Sequence, residues 1–516
     1  MADVQELSSR IDGKPIEGGR TVELRNPADL DDLVARVSLG DADTFVRAAE
    51  AARAAQAAWA AVPAPIRGVA IGDLGRIIAN NKEALARLVT REIGKPYTEA
   101  LGEVQEVIDT CVFFASEGRR LYGQTVPSEM PDKQLFTFRE PVGTMAVITA
   151  GNFPIAVPSW YLVPALVAGN AAVWKPAEYA PAIAEAFVRC IEAAGIPAGV
   201  VQLVVTDGQE TAAGLERALE AGLLQKVGFT GSSTVGRDIA ALCGRHLVTP
   251  TLELGGKNPL VVMPDADLDL AVEGALFSGF GTAGQRCTSL GVAIVHESVH
   301  DDFLRRFTAA VEGAPVGDPF QSVLYGPMIS QKFADGFENW LEHIQPHHRT
   351  SGSQALGRIT ADNPREGFVG DPARGIFEHP VIVDGVTADD ALYQNETFGP
   401  IVPVASFDDF DEAIALANGH GYGLSSAIYT RDPKSAFRFR EQVSAGMVSV
   451  NNSTSGAEAH LPFGGNGKSG NGARQSGIWM LDQVTRWQSL NWDYSGKLQK
   501  AQMDVAEIEA DLHFTI

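Results

Sequence analysis

The stretch Phe280-Gly281-Thr282-Ala283-Gly284-Gln285-Arg286-Cys287-Thr288-Ser289 sets a thiol after a glycine-rich run and beside a cation. The chemistry these residue types suit is attack of a thiolate on an electrophilic carbonyl. Small residues let a substrate and a cofactor approach the backbone, and the Arg286 charge favours thiolate over a thiol whose free pKa is near ~8.5. A buried structural thiol is the competing reading of any single cysteine. Upstream, Leu252-Glu253-Leu254-Gly255-Gly256-Lys257-Asn258-Pro259 carries a carboxylate on a strand that runs into two glycines. Between two leucines Glu253 is partly desolvated, which raises its pKa toward that of a general base. A nucleophile and a base brought together in this way make a covalent acyl-enzyme machine.

Three further junctions carry polar groups. Ala150-Gly151-Asn152-Phe153-Pro154 follows an apolar run, and Asn152 there is either a turn residue or an amide donor to a developing oxyanion. Trp174-Lys175-Pro176-Ala177-Glu178 ends a strand in a cation and a carboxylate. An acid at that point accepts hydrogen bonds from ribose hydroxyls and repels a 2′-phosphate, favouring NAD over NADP. Gly228-Phe229-Thr230-Gly231-Ser232-Ser233-Thr234-Val235-Gly236 is either a plain glycine turn or a helix start whose free N–H groups face a phosphate. It has neither the GxGxxG pattern nor a Walker lysine.

These junctions need elements to hold them. Helical spacing is expected over 41–61, over 66–93 and from Tyr97 to about Tyr122, with a poorly patterned edge strand pair up to about Val22. In the third helix the carboxylates of Gly102-Glu103-Val104-Gln105-Glu106-Val107-Ile108-Asp109 read most simply as a solvated face. After an extended polar excursion at 124–139, strands at 145–149, 171–174, 200–205, 225–229 and 260–263 alternate with helices such as 182–194, 211–218 and 266–279. That is the grammar of a parallel α/β sheet covered on both faces, with ligands at the strand ends.

Composition narrows the class. The 516 residues allow two or three domains, and 45% apolar with 20% charged residues is ordinary for a globular protein. With 41 basic against 64 acidic residues the net charge is −23, which argues against nucleic acid or an anionic membrane as partner. No apolar run reaches the ~18 residues of a spanning helix, and Met1-Ala2-Asp3-Val4-Gln5-Glu6 lacks the order of a signal peptide. Cys111, Cys190, Cys243 and Cys287 show no metal-ligand spacing and are too few for a disulfide scaffold. The expectation is a reducing cytoplasm and no metal.

With Glu396-Thr397-Phe398-Gly399-Pro400 and Pro462-Phe463-Gly464-Gly465 added to the motifs above, all in order, the chain resembles the aldehyde dehydrogenase superfamily over roughly 26–492. The resemblance implies a Rossmann-like nucleotide-binding domain (1–123 and 142–253), an α/β catalytic domain (254–456), a connecting active-site segment (457–476), and a small β oligomerisation flap with C-terminal tail (124–141 and 477–516). It implies that Cys287 attacks the aldehyde, that Asn152 and the Cys287 N–H hold the oxyanion, and that Glu253 activates water against the thioester. Lys175 and Glu178 would hold the adenosine ribose of NAD (NADP is possible), Ser232 with Gly231 the pyrophosphate, and Glu396 and Phe398, beside Gly255, the nicotinamide half. A homodimer or homotetramer is expected.

Two features depart from the family pattern. Arg474-Gln475 stands where many relatives have Arg-Glu, so an auxiliary proton acceptor is missing, and residues 497–516 run past the usual end, with 501–512 either helical or disordered. Gly102–Asp109, Gly281–Thr288 and Thr454-Ser455-Gly456-Ala457-Glu458 are similar to the antiquitin-type branch, which oxidises α-aminoadipate semialdehyde, although Asn466-Gly467-Lys468 is not. By that likeness Glu106, Arg286, Gly456 and Ala457 would meet a polar substrate head, whereas Phe153, Trp160 and Phe463 would line the tunnel with apolar surface and suit aromatic or aliphatic aldehydes. A CoA-acylating relative and an inactive structural homologue are the other readings. Glu253 argues against the first, and the intact Cys287, Asn152 and Glu396 against the second.

Overall fold

A computed structural model describes residues 4–516. Met1–Asp3, the start of the segment read for signal-peptide order, lie outside the described residues. Five parallel strands make the heart of a nine-stranded sheet, in the order Pro250–Glu253, Lys226–Thr230, Thr144–Ile148, Ala171–Lys175, Val201–Leu203. The strand order reverses between Thr144–Ile148 and Lys226–Thr230, so the chain leaves these neighbours in opposite directions and opens a crevice beyond their ends. Thr144–Ile148 and Ala171–Lys175 are buried at every residue, which is why they read as short apolar runs without alternation.

The N-terminus is more strand-rich than its pattern suggests. Gln5–Ile11, Arg20–Asn26 and the eleven-residue Asp29–Leu39 extend the same sheet. Register shifts at Leu24/Arg25 and Arg25/Asn26 break the alternation that marks a strand in sequence. The helix expected over 66–93 is two, Ala64–Asn80 and Lys82–Ile93, divided at Asn81. Gly94, at φ 75°, ends the second, and Pro96 starts the helix Tyr97–Glu117.

A second sheet of seven strands runs Arg349–Ser351, Val381–Asp384, Ile401–Phe407, Leu290–His296, Asn258–Val262, Ser425–Tyr429, Met447–Val450, parallel except at its first pair. The Cys287 loop enters this sheet at the start of Leu290–His296. The polar excursion forms a small antiparallel sheet in which Lys133–Pro141 pairs over nine residues with the C-terminal strand Thr485–Asp493. Residues 501–516 form no helix and are almost wholly exposed. No helix among the described residues is long and apolar enough to cross a membrane.

Candidate active site

Cys287 lies between a 3-10 turn, Gly281–Gly284, and the strand Leu290–His296. The turn is wound left-handed, with φ of 52° at Thr282, 54° at Ala283 and 69° at Gly284, a conformation that non-glycine residues adopt only when their surroundings impose it. Those surroundings are visible. Glu99, on the helix Tyr97–Glu117, accepts from the Thr282 N–H at 3.2 Å and also meets the Thr282 hydroxyl and the Arg286 guanidinium. The buried Gln285 amide donates to the Thr282 carbonyl at 3.0 Å and accepts from the Ile329 N–H at 3.0 Å. Beyond the thiol, Asn258 donates to the carbonyls of Cys287 (2.8 Å) and Ser289 (2.7 Å). Asn152 approaches from the other sheet and donates its amide to the Gln285 carbonyl at 2.9 Å.

Two cavities of about 420 Å³ each meet at this thiol. The first is walled by the helix Tyr97–Glu117 and the 455–463 segment. It contains all seven residues expected at the substrate, namely Glu106, Phe153, Trp160, Arg286, Gly456, Ala457 and Phe463. Trp160 and Phe463 stack with ring centroids 4.6 Å apart, giving the tunnel an apolar throat. The second opens into the crevice between the reversing strands and contains Asn152, Gly231, Ser232, Gly255, Glu396 and Phe398. Lys175 and Glu178 lie at the end of Ala171–Lys175, outside the lining of that cavity.

The electrostatics differ from the expectation for Arg286. Its guanidinium faces Glu99 and stacks 4.6 Å from the Phe277 ring centroid, so its charge is already answered. The Cys287 thiol is instead pushed up to about 12, by desolvation and by the carboxylates of Glu396 and Glu253. Of the helix carboxylates expected on a solvated face, Asp109 is exposed but Glu103 and Glu106 are not. Glu103 is buried and paired with Lys95, and desolvation together with neighbouring Glu103 pushes Glu106 up to about 8. Glu253 is 3% exposed, and neither carboxylate oxygen has a hydrogen-bond partner. Burial holds its pKa well above the ordinary carboxylate range, only partly opposed by Arg474. Glu396 is pushed up to about 7 by burial, against the Gly256 N–H that donates to it at 3.0 Å. A side chain at Gly255 would collide with the Glu396 carboxylate, which accounts for the glycine there.

Elsewhere, His347, His348 and Asp390 bring ligand-type atoms within 4.8 Å of one another. The Gln345 N–H donates to His348 Nδ1 at 2.9 Å, which puts the ring proton on Nε2, toward Asp390. In that tautomer the Nε2–H of a neutral ring faces the Asp390 carboxylate, which removes the lone pair a metal would need.

The sequence model of the aldehyde dehydrogenase family matches residues 15–490. The chain belongs to the aldehyde dehydrogenase family. It is similar to the alpha-ketoglutarate semialdehyde dehydrogenase of Haloferax volcanii, with 38% identity over 452 residues, 87% of this chain and 90% of that one. To the alpha-aminoadipic semialdehyde dehydrogenase of Bos taurus it is 35% identical over 476 residues, 91% of this chain and 85% of that one. The solved betaine aldehyde dehydrogenase of Staphylococcus aureus, in complex with NAD+, superposes with a TM-score of 0.89 at 29% identity, covering 95% of this chain and 96% of that one. The reaction of this aldehyde dehydrogenase is NAD(P)-dependent oxidation of an aldehyde.

Sequence reading missed Glu99, Lys95 and Asn258. The signal for the first was present. Glu99, Glu103 and Glu106 recur at i, i+4 and i+7, one stripe of a single helix, and that stripe faces the thiol.

Proposed function

We propose a hydrolytic mechanism in which Cys287 gives up its thiol proton to solvent as its sulfur adds to the aldehyde carbon, and Asn152 with the Cys287 N–H holds the oxyanion. Collapse of the thiohemiacetal expels hydride and leaves a thioester. Glu253 then takes a proton from water as the water attacks, and the thiolate departs with release of the acid. The observation that carries this reading is that Cys287 lines both cavities, so it can face a substrate on one side and a cofactor on the other. NAD, when bound, supplies the hydride acceptor. The second cavity suits it: Ser232 caps the thirteen-residue helix Ser233–Arg245, whose first N–H groups suit a pyrophosphate, and Glu396 and Phe398 would hold the nicotinamide half. Lys175 and Glu178 would hold the adenosine ribose.

NAD is the preferred cofactor in this reading, since a 2′-phosphate would bring negative charge toward Glu178 with only Lys175 to offset it. Comparing kcat/KM for NAD and NADP at equal ionic strength is expected to favour NAD. A preference for NADP would reverse the assignment.

The substrate is a semialdehyde with a polar head remote from the carbonyl. A carboxylate would meet backbone donors at Gly456 and Ala457 and the protonated Glu106, and an ammonium would draw Glu106 into its ionised form. The names of the two relatives, both semialdehyde enzymes, support this class. The walls of Phe153, Trp160 and Phe463, and an Arg286 already paired, favour a second reading, a plain aromatic or aliphatic aldehyde. The two separate on kcat/KM for α-ketoglutarate, α-aminoadipate and glutarate semialdehydes against hexanal and benzaldehyde. The semialdehydes are expected to win, and Glu106→Ala to cost the α-aminoadipate substrate roughly tenfold or more. Faster hexanal or benzaldehyde with a silent Glu106→Ala establishes the apolar tunnel instead.

The domain division expected from sequence is retained in this reading, with 1–123 and 142–253 binding the nucleotide and 254–456 catalytic. The sheet formed by Lys133–Pro141 and Thr485–Asp493 would serve a homodimer or homotetramer, in the cytoplasm. The apolar Trp487, Leu490 and Trp492, exposed on that C-terminal strand, support an association role.

A further inference from the structure

The helix Ala156–Ala168 starts without a capping side chain of its own. Its first amides are taken by a remote residue. Glu103 Oε1 accepts from the Ile155 N–H at 3.0 Å and from the Ala156 N–H at 3.2 Å. Its other oxygen, Oε2, meets the Lys95 ammonium, and both side chains are fully shielded from solvent. The same ammonium stands 3.5 Å from the centroid of the Phe153 ring. The segment Asn152-Phe153-Pro154-Ile155 is therefore gripped twice, through a ring and through an amide, immediately after Asn152.

Removing two charges from water costs more than their attraction returns unless further hydrogen bonds complete the geometry, and an apolar pair of similar volume packs at least as well. Packing alone therefore gives little reason for a Lys and a Glu here. A charge pair offers a fixed carboxylate plane: one oxygen is held by two amides and the other by an ammonium, each bond charge-assisted.

We propose that the Lys95–Glu103 pair positions Asn152, setting the backbone of residues 153–156 and through it the direction from which the Asn152 amide meets the carbonyl oxygen of a substrate at Cys287. The proposal rests on the reading of Asn152 as an oxyanion donor. Donors of that kind stabilise the developing charge only when pre-aimed at the position the oxyanion will occupy. Neither Lys95 nor Glu103 is placed among the reacting groups, so both are positioning residues.

The test is a double-mutant cycle on the intact enzyme: wild type, Asn152→Ala, Glu103→Gln and the double variant, assayed with NAD and the best aldehyde of the panel above. Glu103→Gln keeps the shape and an acceptor oxygen but loses the charge that ties it to Lys95. Asn152→Ala is expected to lower kcat by about 10²–10³-fold. Glu103→Gln should lower kcat roughly tenfold, with the KM for NAD unchanged, when Asn152 is present, and less than about twofold when it is absent. A merely structural role lowers kcat by the same factor in both backgrounds, and that multiplicative result overturns the proposal. An Asn152→Ala enzyme as fast as wild type overturns the oxyanion reading itself, a distinguishable failure. Should Glu103→Gln not fold, Phe153→Leu takes its place in the cycle. It removes the ring beneath the ammonium, and the same criterion applies: loss confined to the Asn152 background supports the proposal, and equal loss in both backgrounds overturns it.

Discussion

Cys287→Ala is expected to abolish aldehyde oxidation while leaving dinucleotide binding nearly intact. Cys287 is the one thiol that lines the two cavities. The other cysteines, Cys111, Cys190 and Cys243, line neither cavity, and desolvation raises the thiol pKa of each. The groups assigned to the cofactor come from other elements: Gly231 and Ser232 follow the strand Lys226–Thr230, and Glu396 and Phe398 precede Ile401–Phe407. Titrating the variant with NAD by calorimetry and assaying NADH formation in parallel separates the two properties. Turnover above a few per cent of wild type would assign the nucleophile elsewhere.

Glu253→Gln should give a single burst of NADH and then stall. Thiohemiacetal formation and hydride departure do not require a base at that position, whereas attack of water on the thioester does, and loss of a general base costs ~10²–10⁴ in rate. Gln475 offers no proton acceptor in its place. The pH dependence follows from the environment of Glu253. Its carboxyl is held well above its usual range by burial, so the fraction able to accept a proton grows as pH rises toward that elevated pKa, and wild-type deacylation should accelerate over that window. The variant should show no such rise. A steady-state rate equal to wild type would give the base function to another group.

The residues proposed as catalytic drew attention because Glu253 and Asn152 sit where a strand gives way to a loop and Cys287 where a turn leads into a strand, and strand ends carry local sequence signals. Singly, Asn152 also reads as a turn residue and Cys287 as a structural thiol; it was the ordered set of such junctions along the chain that singled them out with Glu253. The helical stripe could place Glu99 beside Glu103 and Glu106 but not reveal its role, which depends on a contact with Arg286 that spans 187 positions in the chain. Arg286 was misjudged for the same reason: beside Cys287 in sequence it looks like a thiolate-stabilising cation, and only the fold shows the Glu99 carboxylate against it. The carboxylates of the helix Tyr97–Glu117 mislead in the opposite sense. Polar residues at helical spacing suggest solvent, and the buried Lys95 that makes Glu103 tolerable lies before the helix begins. The strand Asp29–Leu39 escaped because the residues left unpaired at its register shifts with Arg20–Asn26, Val34 and 30–32, spoil the period on which strand reading depends.

The left-handed turn before Cys287 has a consequence for how the enzyme fails. Its geometry is imposed by Glu99, 183 positions away, by Asn152, 133 positions away, and, beyond the thiol, by Thr454, whose hydroxyl donates to the Thr288 carbonyl at 2.8 Å across 166 positions. None of these bonds is local, whereas the sheets on either side are held by dense ladders of backbone hydrogen bonds. The turn should relax as soon as the packing between remote segments loosens, before either sheet melts. Heat or denaturant would then pass through molecules that keep their secondary structure and have lost their reaction, and inactivation would run ahead of unfolding.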